Sequence, residues 1–456
     1  MAFRPLAAAL LLSAATISGA TISGAAISGA AISGATISAA HAAETITVYS
    51  STDPKLELGS MSVPGGKTRQ LNVGIGSGAG RRATDPAMTF WTISDRGANF
   101  TCGDVEDVFG VDGKTICGDV KGGRIYPQPD YSPSIYRITL KDDRTFTVDT
   151  VLPLRDGQGK PVTGLLNPLT HASTEQPLDL SGKRLEQSAD AVDAESIVPL
   201  ADGTFWVSEE NGPSLLHVAA DGKILRRIVP QGTEGDFKAA HYPVDGGLPA
   251  VLAKRFLNRG LESLAITPDG KRLATIIQNP LANPDADTYR ASKNARLWTL
   301  DPATLAVTGE YVYTLDDPQS FRLDPSKKQS DPRISEMMGL GADRFLVLER
   351  TDGTTKLYEI SLAGATDIHG TAWDDVTTSP SLEASKDLAA AKVVPVTKIL
   401  RFDSADHPEV PVKIEGLALT GDGSLLMIND SDFGITGETT RPVILKGSAI
   451  VADPAS

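Results

Sequence analysis

The chain has 456 residues, 41% of them hydrophobic, with 43 glycines, 29 prolines and a formal net charge of -14. That length exceeds the usual single packed core and calls for two domains or one domain built from repeats. The acidic balance excludes nucleic acid and anionic membrane surfaces as partners and favours cations, while the many turn residues favour short strands over long helices.

In chain order, a leader comes first. Arg4 is followed by LAAALLLSAATISGA, an export signal, and Ala40, His41 and Ala42 form an A-x-A-like cleavage site. Between Thr16 and Ala40 the chain repeats TISGA, TISGA, AISGA, AISGA and TISAA. Cleavage after this segment is expected, with an uncleaved N-terminal anchor as the alternative. No other apolar run is long enough to span a bilayer. Residues 1–43 are therefore set aside as a signal peptide, and residues 44–456 are expected to form one exported domain, periplasmic or extracellular. A monomer is expected. Export makes Cys102 and Cys117, the only cysteines, a loop-closing disulfide with a loop entropy worth roughly 3 kcal/mol.

Five hairpins follow. Four share a template in which a Glu opens an apolar strand, a Gly/Asp turn follows, and the second apolar strand ends in polar residues. They are ESIVPLADGTFWVSEENG from Glu195, ESLAITPDGKRLATIIQN from Glu262, EMMGLGADRFLVLERTDG from Glu336 and EGLALTGDGSLLMINDSDFG from Glu415. A looser copy, GIGSGAGRRATDPAMTFWTISDRG, has Ser77 in the Glu position. The spacing near 70 residues predicts an all-β chain, a β-propeller with five recognisable blades. The long interval between the first two copies leaves six possible, although residues 155–193 carry little strand pattern and read as a long loop. ITVYS or LELGSMSV would supply the strand missing from the last copy, so that N- and C-terminal strands close the ring. DVEDVFGVDGK, Asp104 to Lys114, reads as a solvated loop, and Phe205, Trp206 and Trp298 as packing.

An antiparallel hairpin returns its second strand beside the start of its first. That places Glu195 near Glu209 and Glu210, Glu262 near Gln278 and Asn279, and Glu336 near Glu349 and Arg350. Glu415 falls near Asp430 and Asp432, with Asp95 and Arg96 in the matching place of the first copy. If these are the innermost strands, the groups form an acidic ring at one channel mouth. Crowded carboxylates take up protons or hold a cation. The all-oxygen set suits Ca²⁺, with Asp95, Glu195, Glu209, Glu336, Glu415, Asp430 and Asp432 as candidate ligands. The alternative for any one of them is to bond backbone N–H groups or pair with Arg and Lys, stitching neighbouring blades. His171, His217, His241, His369 and His407 show no metal-ligand spacing. No G-x-S-x-G, P-loop or H-E-x-x-H pattern occurs.

SDRGANF, RIYPQPDYSPSIYRI, DAESIVPLADGTFWVSEENG, NRGLESLAITPDG, FLVLER and KIEGLALTGDGSLLMINDSDFG together resemble the phytase-like family, described as esterase-like activity of phytase, over residues 74–433. The resemblance implies a propeller and an esterase or phosphoesterase activity. Without an R-H-G-x-R-x-P pattern, it implies calcium-assisted hydrolysis, with Glu210 or Glu262 as general base and Arg96, Arg259, Arg350 or Lys413 holding the phosphate. Ser196 and Ser431 depart from the family pattern, which has Gly and Asn there. Three functions compete: an exported phosphoesterase or esterase-like hydrolase acting on a small-molecule ester, a non-catalytic propeller binding a ligand or protein, and a metal-dependent lactone or ester hydrolase.

Overall fold

Short apolar runs separated by Gly- and Asp-rich turns fold into mostly antiparallel sheets whose inner strands are buried. The computed structural model describes residues 44–447 and residue 450; the expected leader, residues 1–43, lies outside the described residues. The protein is all-β, with few and short helices. Five sheets carry the five hairpins. The first orders Gly78–Gly80, Thr89–Ile93, Ser134–Leu140 and Phe146–Pro153. The second runs Ala194–Pro199, Phe205–Glu209, Ser214–Val218, Ile224–Pro230 and a parallel edge strand, Val244–Leu248. The third runs Ala265–Ile266, Leu273–Ile276, Asn294–Leu300 and Val307–Thr314, and the fourth Arg333–Gly339, Arg344–Arg350, Thr355–Ser361 and Thr397–Asp403. In the fifth, Ile414–Leu419, Leu425–Asn429 and Val443–Lys446 are completed by the N-terminal strand Thr45–Val48, antiparallel to Val443–Lys446. ITVYS is thus the completing strand. LELGSMSV instead forms a two-stranded ribbon, Glu57–Met61 with Arg69–Asn72.

The opening strands of these sheets lie against one another. Gly78–Gly80 adjoins both Ala194–Pro199 and Ile414–Leu419, and Arg333–Gly339 adjoins Ile414–Leu419 and Ala265–Ile266. GIGSGAG is glycine-rich for this reason: a Cβ on Gly78 would stand 2.6 Å from the Ser196 Cα. Trp206, Trp298 and Phe205 are buried in the packing between and within sheets, as their strand positions suggest.

Two expectations change. Residues 155–193 are not wholly irregular, because Gln176–Leu178 pairs in parallel with Gly123–Ile125 beside Phe100–Thr101 in a small separate sheet. The Asp104 to Lys114 stretch is not merely a solvated loop. Val105–Phe109 is a helical turn that buries Val105, Val108 and Phe109, and Cys102 and Cys117 on either side of it are joined, closing a separation of 15 residues. No helix among the described residues is long and apolar enough to cross a membrane.

Candidate functional site at the hairpin ends

Each of the last four hairpins carries a one-residue bulge near its opening Glu, between Ala194 and Ile197, Ile334 and Glu336, and Ile414 and Gly416. In the third sheet the same slip separates the Leu261–Ile277 bridge from the Ala265–Ala274 pair. Bulges re-aim side chains beside functional sites. The register also shows which residues are equivalent. Ala194, Leu261, Ile334 and Ile414 face Glu209, Ile277, Glu349 and Asn429. The next residues, Glu195, Glu262, Ser335 and Glu415, are therefore one set. Glu336 belongs one position later, with Ser196 and Gly416.

That single step corrects the ring. Successive strand residues point to opposite sides, so Glu336 turns away from the other glutamates. Its carboxylate accepts from Ser196 Oγ at 2.7 and 2.9 Å, the Met337 amide at 2.9 Å and the Leu264 amide at 3.3 Å. The Ala79 amide is a further donor. One carboxylate thus ties together the opening strands of four sheets. Burial still pushes Glu336 well above the ordinary carboxylate range.

The same alternation removes Glu209 and Glu349. Glu209 is fully buried and accepts from Arg227 at 2.7 Å and from the Asp193 amide at 3.2 Å; burial lifts it to about 7 against the pull of Arg227. Glu349 accepts from Tyr313 Oη at 2.6 Å, the Asp316 amide at 2.7 Å and Lys398 at 2.5 Å. None of the three lines the mouth. The residues next to Glu209 and Glu349, Glu210 and Arg350, do line it, as do Asp95, Gln278 and Asp430 at the corresponding ends of the other second strands.

The mouth is a cavity of about 590 Å³. It also takes in Arg96, Glu195, Arg259, Glu262, Lys413, Glu415, Ser431 and Asp432 among the expected residues. Only Val412 and Phe433 among its lining side chains are apolar. Seven non-glycine residues have left-handed φ among those described, and four of them, Asn258, Lys413, Asp432 and Phe433, line this cavity. Such backbone costs on the order of 1–3 kcal/mol per residue and is retained where the surroundings enforce it.

Charge divides the cavity in two. On one side, cations and carboxylates pair off. Arg350 binds Glu415, Arg333 binds Asp352, and Lys413 reaches Asp430 at 3.0 Å and Asp432 at 2.5 Å. Arg333 holds Asp352 down at about 2. Although burial opposes it, Lys413 keeps Asp430 below its usual value. Glu415 and Asp430 each meet a cation from within the protein, and Asp432 shares Lys413 with Asp430, so that this side sets three cations against four carboxylates.

On the other side, carboxylates outnumber cations. Oxygens of Glu195, Glu210 and Glu262 lie within 4.8 Å of one another, as do those of Asp95, Asp193 and Glu195. Glu195 belongs to both triads. Burial, then Asp193, Glu210, Glu262 and Asp95, push it well above the carboxylate range. Burial followed by Glu262 does the same to Glu210, and burial followed by Asp430 to Asp95. Glu262 is held at both oxygens, by Gln278 and by Ser335 Oγ at 2.7 Å. Arg96 stands 3.1 Å from Asp193, and Arg259 3.9 Å from Glu210. Even so, Glu210 Oε1 and the Gln278 amide oxygen are buried without a hydrogen-bond donor. Buried acceptors left this way cost about 1–3 kcal/mol each. An all-oxygen set of orphaned acceptors with excess negative charge fits a hard cation such as Ca²⁺.

Sequence reasoning missed Asp193, Arg124, Arg333 and Asp352. Asp193 had a visible signal, as it lies two residues before Glu195 and a two-residue step returns to the same side of an extended chain. The others come from loops and from separate strands.

The phytase-like family model, described as esterase-like activity of phytase, matches residues 74–433. An uncharacterised secreted protein of Arthroderma benhamiae is 34% identical over 179 residues, which is 35% of this chain and 34% of that protein. The chain thus matches about a third of that relative's length. Among solved structures, a putative glucose dehydrogenase of Thermus thermophilus aligns with a TM-score of 0.34 at 11% identity, over 88% of this chain and 99% of that one. The PQQ-bound aldose sugar dehydrogenase of Streptomyces coelicolor aligns with a TM-score of 0.30 at 10% identity, over 88% and 98%. Scores so low carry no argument about fold or chemistry. The family match covers most of the chain, and the protein belongs to the phytase-like family.

Proposed function

We propose that this protein is an exported hydrolase of small phosphate esters, acting at the mouth of a five-bladed propeller whose ring closes through the paired N- and C-terminal strands. The observation that carries the reading is the divided mouth, where the under-compensated carboxylates Asp95, Glu195, Glu210 and Glu262, backed by Asp193, face an arc of Arg and Lys across one polar cavity. In this reading Glu195, Glu262, Asp95 and Asp193 hold a calcium ion, and Glu210, with an orphaned oxygen, is the general base. The ion, when bound, offsets carboxylate and phosphate charge and makes a water more acidic.

The remaining work belongs to the chain. Arg350 and Lys413 are poised to exchange their internal carboxylates for the ester's phosphate oxygens, with Arg259 and Arg96 at the border between the two halves. Gln278 and Ser335 fix Glu262 in place. The near absence of apolar lining disfavours esters with long acyl chains, and the small-molecule ester substrate is supported by family membership. Export is supported by the leader and by the secreted relative.

A binding propeller without turnover is the second reading. It is favoured by the ion pairs at Arg350 and Lys413, which an incoming anion must break. The deciding experiment strips the protein with a chelator, reloads calcium, and assays phytate, a simple phosphate monoester and a lactone in parallel. Phosphate release on reloading only, lost in Glu195→Gln with the fold intact by circular dichroism, supports the hydrolase. Saturable phytate binding without release supports the second reading, and lactone turnover alone would replace phosphate by carboxylic ester chemistry.

A further inference from the structure

A second group of carboxylates lies away from the mouth. The connector between Thr355–Ser361 and Thr397–Asp403 of the fourth sheet folds over the edge strand Val307–Thr314 of the third. Two contacts pin it there: the Ile368 amide donates to the Glu310 carbonyl at 2.8 Å, and the Glu310 amide donates to Asp367 at 2.9 Å.

Glu310 is fully buried. Its Oε1 pairs with Arg296 at 2.7 Å, while Oε2 has no partner. Four of the five Arg296 N–H groups are taken, since it also binds Glu383 at 2.6 and 3.3 Å and the Trp373 carbonyl at 3.0 Å. Asp374 accepts from the Gly370 amide at 2.6 Å through Oδ2, and its Oδ1 is likewise buried without a partner. His369 stands 3.6 Å from Asp374 through Nδ1 and is 42% exposed. One ligand atom from each of Glu310, His369 and Asp374 lies within 4.8 Å of the other two. Glu310 and Glu383 thus share the Arg296 guanidinium, while Asp374 is met by the Gly370 amide and His369. With all three carboxylates ionised, two negative charges are left over beside one guanidinium, in a region where burial opposes charge. A cavity of about 350 Å³, bounded by His369 and Asp374 with Gln231 and Pro249, opens the group to solvent.

We propose that Glu310, Asp374 and His369 bind a divalent transition-metal ion that clamps the connector onto the third sheet. The imidazole distinguishes this donor set from the all-oxygen mouth: one nitrogen with two carboxylates suits Zn²⁺ or Co²⁺, whereas Ca²⁺ prefers oxygen alone. A divalent ion balances the two surplus charges and satisfies both orphaned oxygens. Its effect is on the connector, since none of the three residues borders the mouth.

The test uses the purified protein, stripped with a chelator and held in excess Ca²⁺ so that the mouth is occupied. Zn²⁺ uptake is measured by calorimetry, and Co²⁺ by its visible absorption. Wild type and Glu195→Gln are expected to take up one equivalent of Zn²⁺, absent from Asp374→Asn and weakened at least about tenfold in His369→Ala. The cobalt bands should change in His369→Ala, whose partly exposed side chain can be removed with little effect on folding. Zn²⁺ should also slow proteolysis within the connector in wild type only. Equal Zn²⁺ uptake in wild type and both variants would overturn the proposal. So would no uptake by wild type, which would mean that Glu310 and Asp374 share a proton instead.

Discussion

Glu336 offers the sharpest test of how the sheets are joined. Glu336→Ala leaves the Ser196 hydroxyl and the Met337, Leu264 and Ala79 amides without their acceptor. At about 1–3 kcal/mol for each buried donor, reduced by relief from burying a carboxylate, the net loss is roughly 4–6 kcal/mol. In a protein of this size that lowers the melting temperature by about 5–7 °C. Glu336→Gln keeps the volume and one acceptor oxygen, and the Ser196 hydroxyl can turn to accept from the new NH₂; its cost should be about 1 kcal/mol. Thermal unfolding by circular dichroism reads both variants. Ser196→Ala completes a double-mutant cycle, in which Ser196→Ala with Glu336→Ala should fall short of additivity by about 1–2 kcal/mol, because both changes remove the same bonds. Glu336→Ala melting within about 2 °C of wild type, or strict additivity, would refute the idea that this carboxylate ties the opening strands together.

Three further outcomes follow from the site. Arg350→Ala and Lys413→Ala should raise KM for a phosphate ester about tenfold or more while kcat changes little, whereas Glu210→Gln should lower kcat; steady-state kinetics separates them. In chelator-treated protein, burial lifts Glu415 to about 8 and pushes Glu195 and Glu210 well above the carboxylate range. The folded chain therefore keeps protons that the unfolded chain releases above about pH 4, so their contribution is fully present at acid pH and is lost as pH rises towards 8. Glu195→Gln should consequently stabilise the metal-free protein more at pH 8 than at pH 5, and an equal effect at both would contradict the assignment. Reducing Cys102–Cys117 should cost about 3 kcal/mol for its loop of 15 residues, seen as earlier denaturant unfolding with calcium binding intact.

Much of the fold was legible because it rests on local pattern. The repeated apolar run, Gly/Asp turn and second apolar run specified five hairpins, and alternation with turn chemistry does not depend on distant contacts. The site was half legible. That polar ends of the hairpins gather at one mouth followed from antiparallel return. Which carboxylate of each adjacent pair faces it did not: Glu209 against Glu210, and Glu349 beside Arg350, differ by one residue and hence by a face.

The sequence by itself determined an all-β chain, its family, its disulfide and a concentration of carboxylates at strand ends, since each depends on residue type and short spacing. Tertiary structure alone decided their chemistry. The register of the fourth hairpin puts Ser335, not Glu336, in the place of Glu195, Glu262 and Glu415, a one-residue offset that is invisible in a template aligned on glutamates. The partners of the rest come from other parts of the chain: Arg350 neutralises Glu415 across 65 residues, while Asp193 and Glu195 meet no equal supply of cations. Whether a carboxylate becomes a tie, half of an ion pair or an open ligand depends on which charges the fold brings within a few ångströms, because Coulomb energy and desolvation follow distance in space and not distance along the chain.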